Sequence, residues 1–229
     1  MKRIGLLGGM SWESTALYYR LLNEGVAQRL GGLHSADCVL MSIDFAPMAR
    51  LQAESRWDEA AADLAGKARE LEGAGAELLV LCTNTMHKVA PQIQAAVDIP
   101  LLHIADVTAD AARRAGTRRL GLLATAFTME QPFYRERLES HGLEVLVPDP
   151  DDRALVHRII YDELCRGVVS ATSRDRVREV IGDVVGRGAD GIVLGCTEIE
   201  LLIAASDSPV PVLPTTALHV EAAIDAALA

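Results

Sequence analysis

Two cysteines, Cys82 and Cys196, stand at matching places in a chain that repeats itself. Each follows a short apolar run with the character of a buried strand, Leu78-Leu79-Val80-Leu81 for the first and Ile192-Val193-Leu194-Gly195 for the second, and each opens a hydroxyl-rich turn. The approaches match too: Gly73-Ala74-Gly75-Ala76-Glu77 leads to Cys82-Thr83, and Gly186-Arg187-Gly188-Ala189-Asp190 leads to Cys196-Thr197. A duplicated fold thus places one thiol in each half. Two thiols facing each other across a cleft suit chemistry that removes a proton from one face of a carbon and returns it on the other.

The repeat extends well beyond the cysteines. A shift of 116 residues lays Lys2-Arg3-Ile4-Gly5-Leu6-Leu7 on Arg118-Arg119-Leu120-Gly121-Leu122-Leu123, with Tyr18 on Tyr134 and Leu22 on Leu138. A shift of 111 lays Pro100-Leu101-Leu102 on Pro211-Val212-Leu213, and the cysteines themselves are 114 apart. Small loop insertions account for the drifting register. So long a period describes two half-proteins, not a solenoid.

The elements that must carry these thiols alternate between strand and helix. Strands are expected at Ile4 to Leu7, Asp37 to Asp44, Leu78 to Leu81, Leu120 to Ala124, Glu144 to Val147 and Gly191 to Leu194, with Pro100 to Ile104 opening the second unit. Helices are expected at Trp12 to Gln28, capped by Ser11, and at Trp57 to Gly73, Met86 to Val97, Val107 to Ala115, Met129 to His141, Ala154 to Glu163 and Arg174 to Gly186. Such alternation predicts an α/β protein of two pseudo-symmetric, doubly wound parallel-sheet domains with the active site in the cleft between them. Residues 1–98 with 210–229 form the expected first lobe, carrying Cys82; residues 99–209 form the second, carrying Cys196. Asp149 to Asp152 reads as a solvated loop, and Trp12, Tyr18 and Tyr19 as packing residues. In parallel sheets ligands sit beyond the carboxyl ends of the strands, and both cysteines fall there.

Composition narrows the function classes. The 229 residues are half apolar, enough for a sizeable core, and the formal charge of −10 argues against general binding to nucleic acid or anionic membrane. No apolar run approaches the length of a membrane span, and the glycine-broken start is too short in apolar residues for a signal peptide. The four cysteines are therefore expected as reduced thiols in cytoplasm. Gly5-Leu6-Leu7-Gly8-Gly9-Met10 lacks the spacing of a dinucleotide fingerprint, so no nicotinamide cofactor is expected. Nor is a metal: the cysteines lack paired close spacing, and His87 alone supplies no second cluster.

Three stretches carry a resemblance to a known family: Gly5-Leu6-Leu7-Gly8-Gly9-Met10 followed by Ser14-Thr15, Cys82-Thr83-Asn84-Thr85-Met86-His87, and Gly195-Cys196-Thr197-Glu198-Ile199. Over its whole length the chain resembles the cofactor-independent aspartate/glutamate racemases, and most closely their broad-specificity subgroup, through Ser11-Trp12-Glu13-Ser14-Thr15. The resemblance implies a cofactor-free, two-base racemisation, with Cys82 abstracting the Cα proton of the D enantiomer and Cys196 that of the L enantiomer. It also implies that Thr83, Asn84, Thr85 and Thr197 hold the carboxylate and amino group, while Met10, Gln52, Thr125 and Thr128 line the pocket. Arg50 is the cation available for a side-chain carboxylate, and His87 and Glu198 are placed to tune the thiols. A homodimer acting on a free amino acid, preferably an acidic one, follows by the same resemblance. Related chemistry on the scaffold (hydantoin racemase, decarboxylase or cis-trans isomerase) is the alternative, and a non-catalytic amino-acid sensor the third reading. Cys38, inside a strand pattern, and Cys165, on a helix, read as ordinary packing residues.

Overall fold

Strand and helix alternate along the chain because short β-branched and leucine-rich runs are separated by amphipathic, alanine-rich stretches. The structure, a computed structural model, describes residues 1–229 and divides into two units, residues 1–103 with 219–229 and residues 104–218. The first unit contains β1 (Ile4–Gly8), α1 (Trp12–Leu30), β2 (Cys38–Ser42), α2 (Phe45–Ala53), α3 (Trp57–Gly73), β3 (Leu78–Leu81), a 3-10 turn (Thr85–Val89), α4 (Ala90–Gln94) and β4 (Leu101–Leu102). Its strands pair in parallel in the order β2-β1-β3-β4, with Ile4 opposite both Cys38 and Leu78. Side chains alternate across a strand. Leu79 and Leu81 therefore pack with Leu64, Ala68 and Leu71 of α3, whereas Leu78, Val80 and Cys82 pack with Tyr18, Leu22 and Val26 of α1 on the other face.

The second unit repeats this plan. It contains α5 (Ile104–Arg114), β5 (Arg119–Ala124), α6 (Ala126–Glu130), α7 (Pro132–Ser140), β6 (Glu144–Leu146), α8 (Pro150–Arg158), a π turn (Ile159–Glu163) and a 3-10 turn (Leu164–Arg166). α9 (Ala171–Gly186), β7 (Gly191–Gly195), α10 (Ile199–Leu202) and β8 (Val212–Pro214) follow. The chain ends in α11 (Thr215–Leu228), which belongs to the first unit from His219 onward. The sheet order, β6-β5-β7-β8, is again all parallel.

Equivalent residues do equivalent work in the two sheets. Arg3 pairs with Asp37 at 2.8 Å at the start of β1, and Arg119 with Glu144 at 2.9 Å at the start of β5. Glu77 accepts from the backbone N–H of Arg3, and Asp190 from those of Arg118 and Arg119. Gly5 and Gly121 are equivalent positions where neighbouring groups crowd the sheet: a Cβ would lie 2.8 Å from Ala76 at the first and 2.6 Å from Val184 at the second. The repeat in sequence is thus a repeat in packing.

Several expectations are corrected. Pro100 does not open the second unit, because β4 pairs with β3 and completes the first sheet. In the same way β8 completes the second, so the units divide at 103/104 and 218/219 and not at 98/99 and 209/210. Asp149 to Asp152 is no loop: Asp149 precedes α8, and Pro150 occupies its first turn, where a missing N–H costs nothing. The expected helix from Met129 to His141 is two helices broken before Pro132, and the one from Met86 to Val97 is a 3-10 turn followed by α4. Tyr18 is buried as expected, but Trp12 and Tyr19 are 67% and 51% exposed on the flank of α1. No helix is long and apolar enough to cross a membrane.

Candidate functional site

A parallel sheet in which β1 lies between β2 and β3 has its crevice beyond the carboxyl ends of β1 and β3, where the chain departs in opposite directions. In the first unit those two strand ends are Gly8 and Leu81, and the residues beyond them are Gly9-Met10-Ser11 and Cys82-Thr83-Asn84-Thr85. Gly9 has φ +94°, and a Cβ there would stand 2.2 Å from the Ile43 carbonyl oxygen, so only glycine fits this turn. The N–H of Gly9 donates to Thr15 Oγ1 (2.8 Å), whose own hydroxyl donates to the Ser11 carbonyl (2.9 Å).

Cys82 continues the ladder for one residue, its N–H donating to Leu7 O at 2.9 Å, and the Thr83 N–H then turns back onto Leu81 O at 2.8 Å. Its thiol is fully buried, with Sγ 3.8 Å from Val80 O. Burial pushes its pKa well above the ordinary thiol range, and Cys38 adds to the effect. Met10, Gln52, Thr83, Asn84, Thr85 and His87 are all buried in this unit. Gln52, from the last turn of α2, donates to the Met86 sulfur at 3.0 Å and so reaches the turn that follows Cys82. Arg50 does not join them: it is exposed on α2.

His87 fixes that turn from below. Its Nδ1 lies 2.7 Å from Thr83 O, a carbonyl that can only accept, so Nδ1 carries the proton and donates. The ring lies 4.7 Å from His103 and 5.8 Å from His219. His219 Nε2 donates to Leu102 O at 2.9 Å, which leaves Nδ1 to accept from the Tyr18 hydroxyl, also at 2.9 Å. Burial pushes the His219 pKa down to about 4. Burial, reinforced by His103 and His219, holds His87 well below its ordinary value. His87 and His219 are therefore neutral near pH 7 and act as hydrogen-bonding struts.

In the second unit the equivalent crevice lies beyond β5 and β7. Thr125 caps α6, its Oγ1 lying 3.2 Å from the Thr128 hydroxyl, and both side chains are buried. Cys196 follows β7, where Thr215 Oγ1 donates to the Leu194 carbonyl at 2.8 Å. The Cys196 thiol donates to Glu198 Oε2 at 2.9 Å, and the Thr197 hydroxyl donates to the same oxygen at 2.8 Å. Burial first, then the Glu198 carboxylate, push the Cys196 pKa well above the ordinary thiol value. Neither thiol is activated by a neighbouring cation; burial dominates at both.

Three residues of the second unit were not singled out in the sequence. His157 accepts the Ala126 N–H at 3.2 Å, and Tyr161 packs against His157 with ring centroids 4.7 Å apart and the planes tilted by 47°. Their spacing of four was the signal available. Glu200, on α10, accepts from the Thr216 N–H at 2.8 Å at the start of α11, and burial raises its pKa to about 7.

A family model described as Asp/Glu/hydantoin racemase matches residues 7–223. A broad-specificity amino-acid racemase of Bacillus subtilis is 22% identical over 99% of this chain and 98% of its own length. Among solved structures, a candidate Asp/Glu racemase from Yersinia pestis superimposes with a TM-score of 0.93 at 55% identity over 100% of both chains. An aspartate racemase homologue from Pyrococcus horikoshii superimposes with a TM-score of 0.87 at 33% identity, again over 100% of both.

Proposed function

Because this chain belongs to the Asp/Glu/hydantoin racemase family, we propose that it interconverts the enantiomers of free α-amino acids, using Cys82 and Cys196 as paired base and acid and needing no cofactor. What carries the reading is the equivalence of the two thiols: each is buried one residue past the same strand of an identically ordered sheet. One sulfur takes the Cα proton as the Cα–H bond breaks, leaving the electron pair on carbon, and the other thiol delivers its proton to the opposite face. The enzyme emerges with the proton on the other sulfur, ready for the reverse reaction.

Both thiols are held protonated in the free protein, so one of them releases its proton to solvent as substrate arrives, leaving the thiolate and thiol that the two-base step starts from. The substrate ammonium supplies the nearby positive charge that favours it. Without an electron sink, the developing carbanion depends on donors aimed at the substrate carboxylate. Thr83, Asn84, Thr85 and Thr197 are the proposed donors, with Met10, Gln52, Thr125 and Thr128 shaping the remaining walls. Glu198 accepts from the Cys196 thiol and keeps it directed. None of the buried polar or charged residues is a lysine or arginine, and Arg50 is exposed, which favours a broad set of amino acids over strict use of acidic ones.

The test is loss of optical rotation with a panel of single enantiomers, for the native protein and for Cys82→Ser and Cys196→Ser. Native racemisation with neither variant turning over supports the assignment. Full activity in either variant removes its thiol from the mechanism and overturns the paired assignment, and decarboxylation or isomerisation without racemisation favours the related reactions on this scaffold.

A further inference from the structure

The face of α8 that carries His157 continues through the π turn to Tyr161 and the 3-10 turn to Cys165, one residue every four. π turns are rare and recur at functional sites, because one extra residue re-aims the side chains that follow. This face is anchored at both ends of the second unit's crevice. At one end, His157 takes the Ala126 N–H directly behind Thr125. At the other, the 3-10 turn bearing Cys165 packs against α10, which follows Cys196. Tyr161 lies between the anchors, half-buried and packed against the apolar cluster that contains Cys196 and Ile199.

We propose that Tyr161 is a positioning residue for Cys196, its phenol O–H supporting the negative charge that the Cys196–Glu198 pair carries when the thiol ionises. The assignment rests on the two-thiol reading of the reaction and adds to it a residue that acts through Cys196, not on substrate. A phenol suits this place. Burial, then the charges of Cys196, Cys165 and Glu198, drive its own pKa above the ordinary value, so it stays a donor throughout the working range. The charged and titratable groups around it are His157, Asp162 and Cys165 along its own stretch of chain, Cys196 and Glu198 from the facing turn, and Glu130, whose charge acts on His157. His157 is kept neutral by burial and so adds no competing positive charge.

If the phenol donates to the ionised pair as proposed, its removal costs about tenfold or more in the ionisation it supports. The test is the rate of iodoacetamide alkylation against pH, resolved site by site by peptide mass spectrometry, in the native protein and Tyr161→Phe. Phenylalanine keeps the ring against His157. The expected result is a Cys196 curve displaced to higher pH, with about tenfold slower alkylation at fixed pH, and an unmoved Cys82 curve. Turnover should fall by a similar factor in kcat/KM, equally for both enantiomers, since racemisation has an equilibrium constant of one. A Cys196 curve that coincides with the native one, or Cys82 and Cys196 curves that shift together, would overturn the assignment. The thiol curves are read without turnover, so failure of the racemase reading, shown by active serine variants, is distinguishable from failure of this one.

Discussion

Glu200 gives the account a quantitative foothold two residues from Glu198. Its half-buried carboxyl accepts the Thr216 N–H and has a pKa raised from 4.5 to about 7, chiefly by desolvation. The folded protein therefore keeps this proton up to about pH 7, whereas the unfolded chain releases it near the ordinary carboxylate value. The contribution to stability is fully present below the unfolded pKa and is lost as pH rises through 7. Carrying the charge above that pH costs about 3 kcal/mol at most. Glu200→Gln removes the ionisation while leaving an amide oxygen to accept from Thr216. It should match the native protein in thermal melts at about pH 4.5 and melt several degrees higher at about pH 8.5, since ~1 kcal/mol moves a domain of this size by about 2–4 °C. A Tm difference independent of pH, or a variant less stable at alkaline pH, would refute the argument that an unfavourable buried charge sits at the start of α11.

Three other outcomes follow from the geometry. Cys82 should resist iodoacetamide in the free protein at pH 8, reacting at least about a hundredfold more slowly than a simple thiol, because burial suppresses its thiolate. Glu198→Gln should shift the Cys196 alkylation curve to lower pH, since the carboxylate charge that opposes thiolate formation is gone, while turnover falls as a charged acceptor is replaced by a weaker, uncharged amide oxygen. Gly9→Ala should lower stability by about 2 kcal/mol or more in urea titrations, because φ +94° and a backbone oxygen 2.2 Å from the new Cβ leave no room to relax.

The parts of the protein that were legible in the sequence are those in which identity and spacing both repeat. Gly5 and Gly121 repeat because close neighbours crowd each sheet at that point, and Arg3 and Arg119 because each opens a first strand beside an acidic partner. Cys82 and Cys196 repeat because the strand one place over ends at the crevice in both sheets. What the sequence hid depends on pairing or on local geometry. Nothing in Leu101-Leu102 announces whether it adds to the sheet before it or the one after, and that choice moved the boundary between units. Pro150 resembles a loop residue until Asp149 is seen to precede a helix, and Pro132 breaks a helix whose apolar pattern runs through it. His157 and Tyr161 were visible as a spacing of four, but the π turn that follows α8 leaves no mark in composition. Tyr18 and Tyr19 differ only in phase along α1, which decides that one is buried against His219 and the other faces solvent.

In the proposed reaction two sulfurs, one per unit, serve as separate base and acid on one stereocentre. Its most direct test is a brief incubation of a single, protiated enantiomer in deuterium oxide, followed by separation of the enantiomers and mass analysis of each. With two separate groups, deuterium appears at Cα in nearly all of the inverted product while the recovered substrate keeps its protium. Deuterium entering substrate and product at equal rates would mean that a single group exchanges and returns the proton on both faces, and would contradict it.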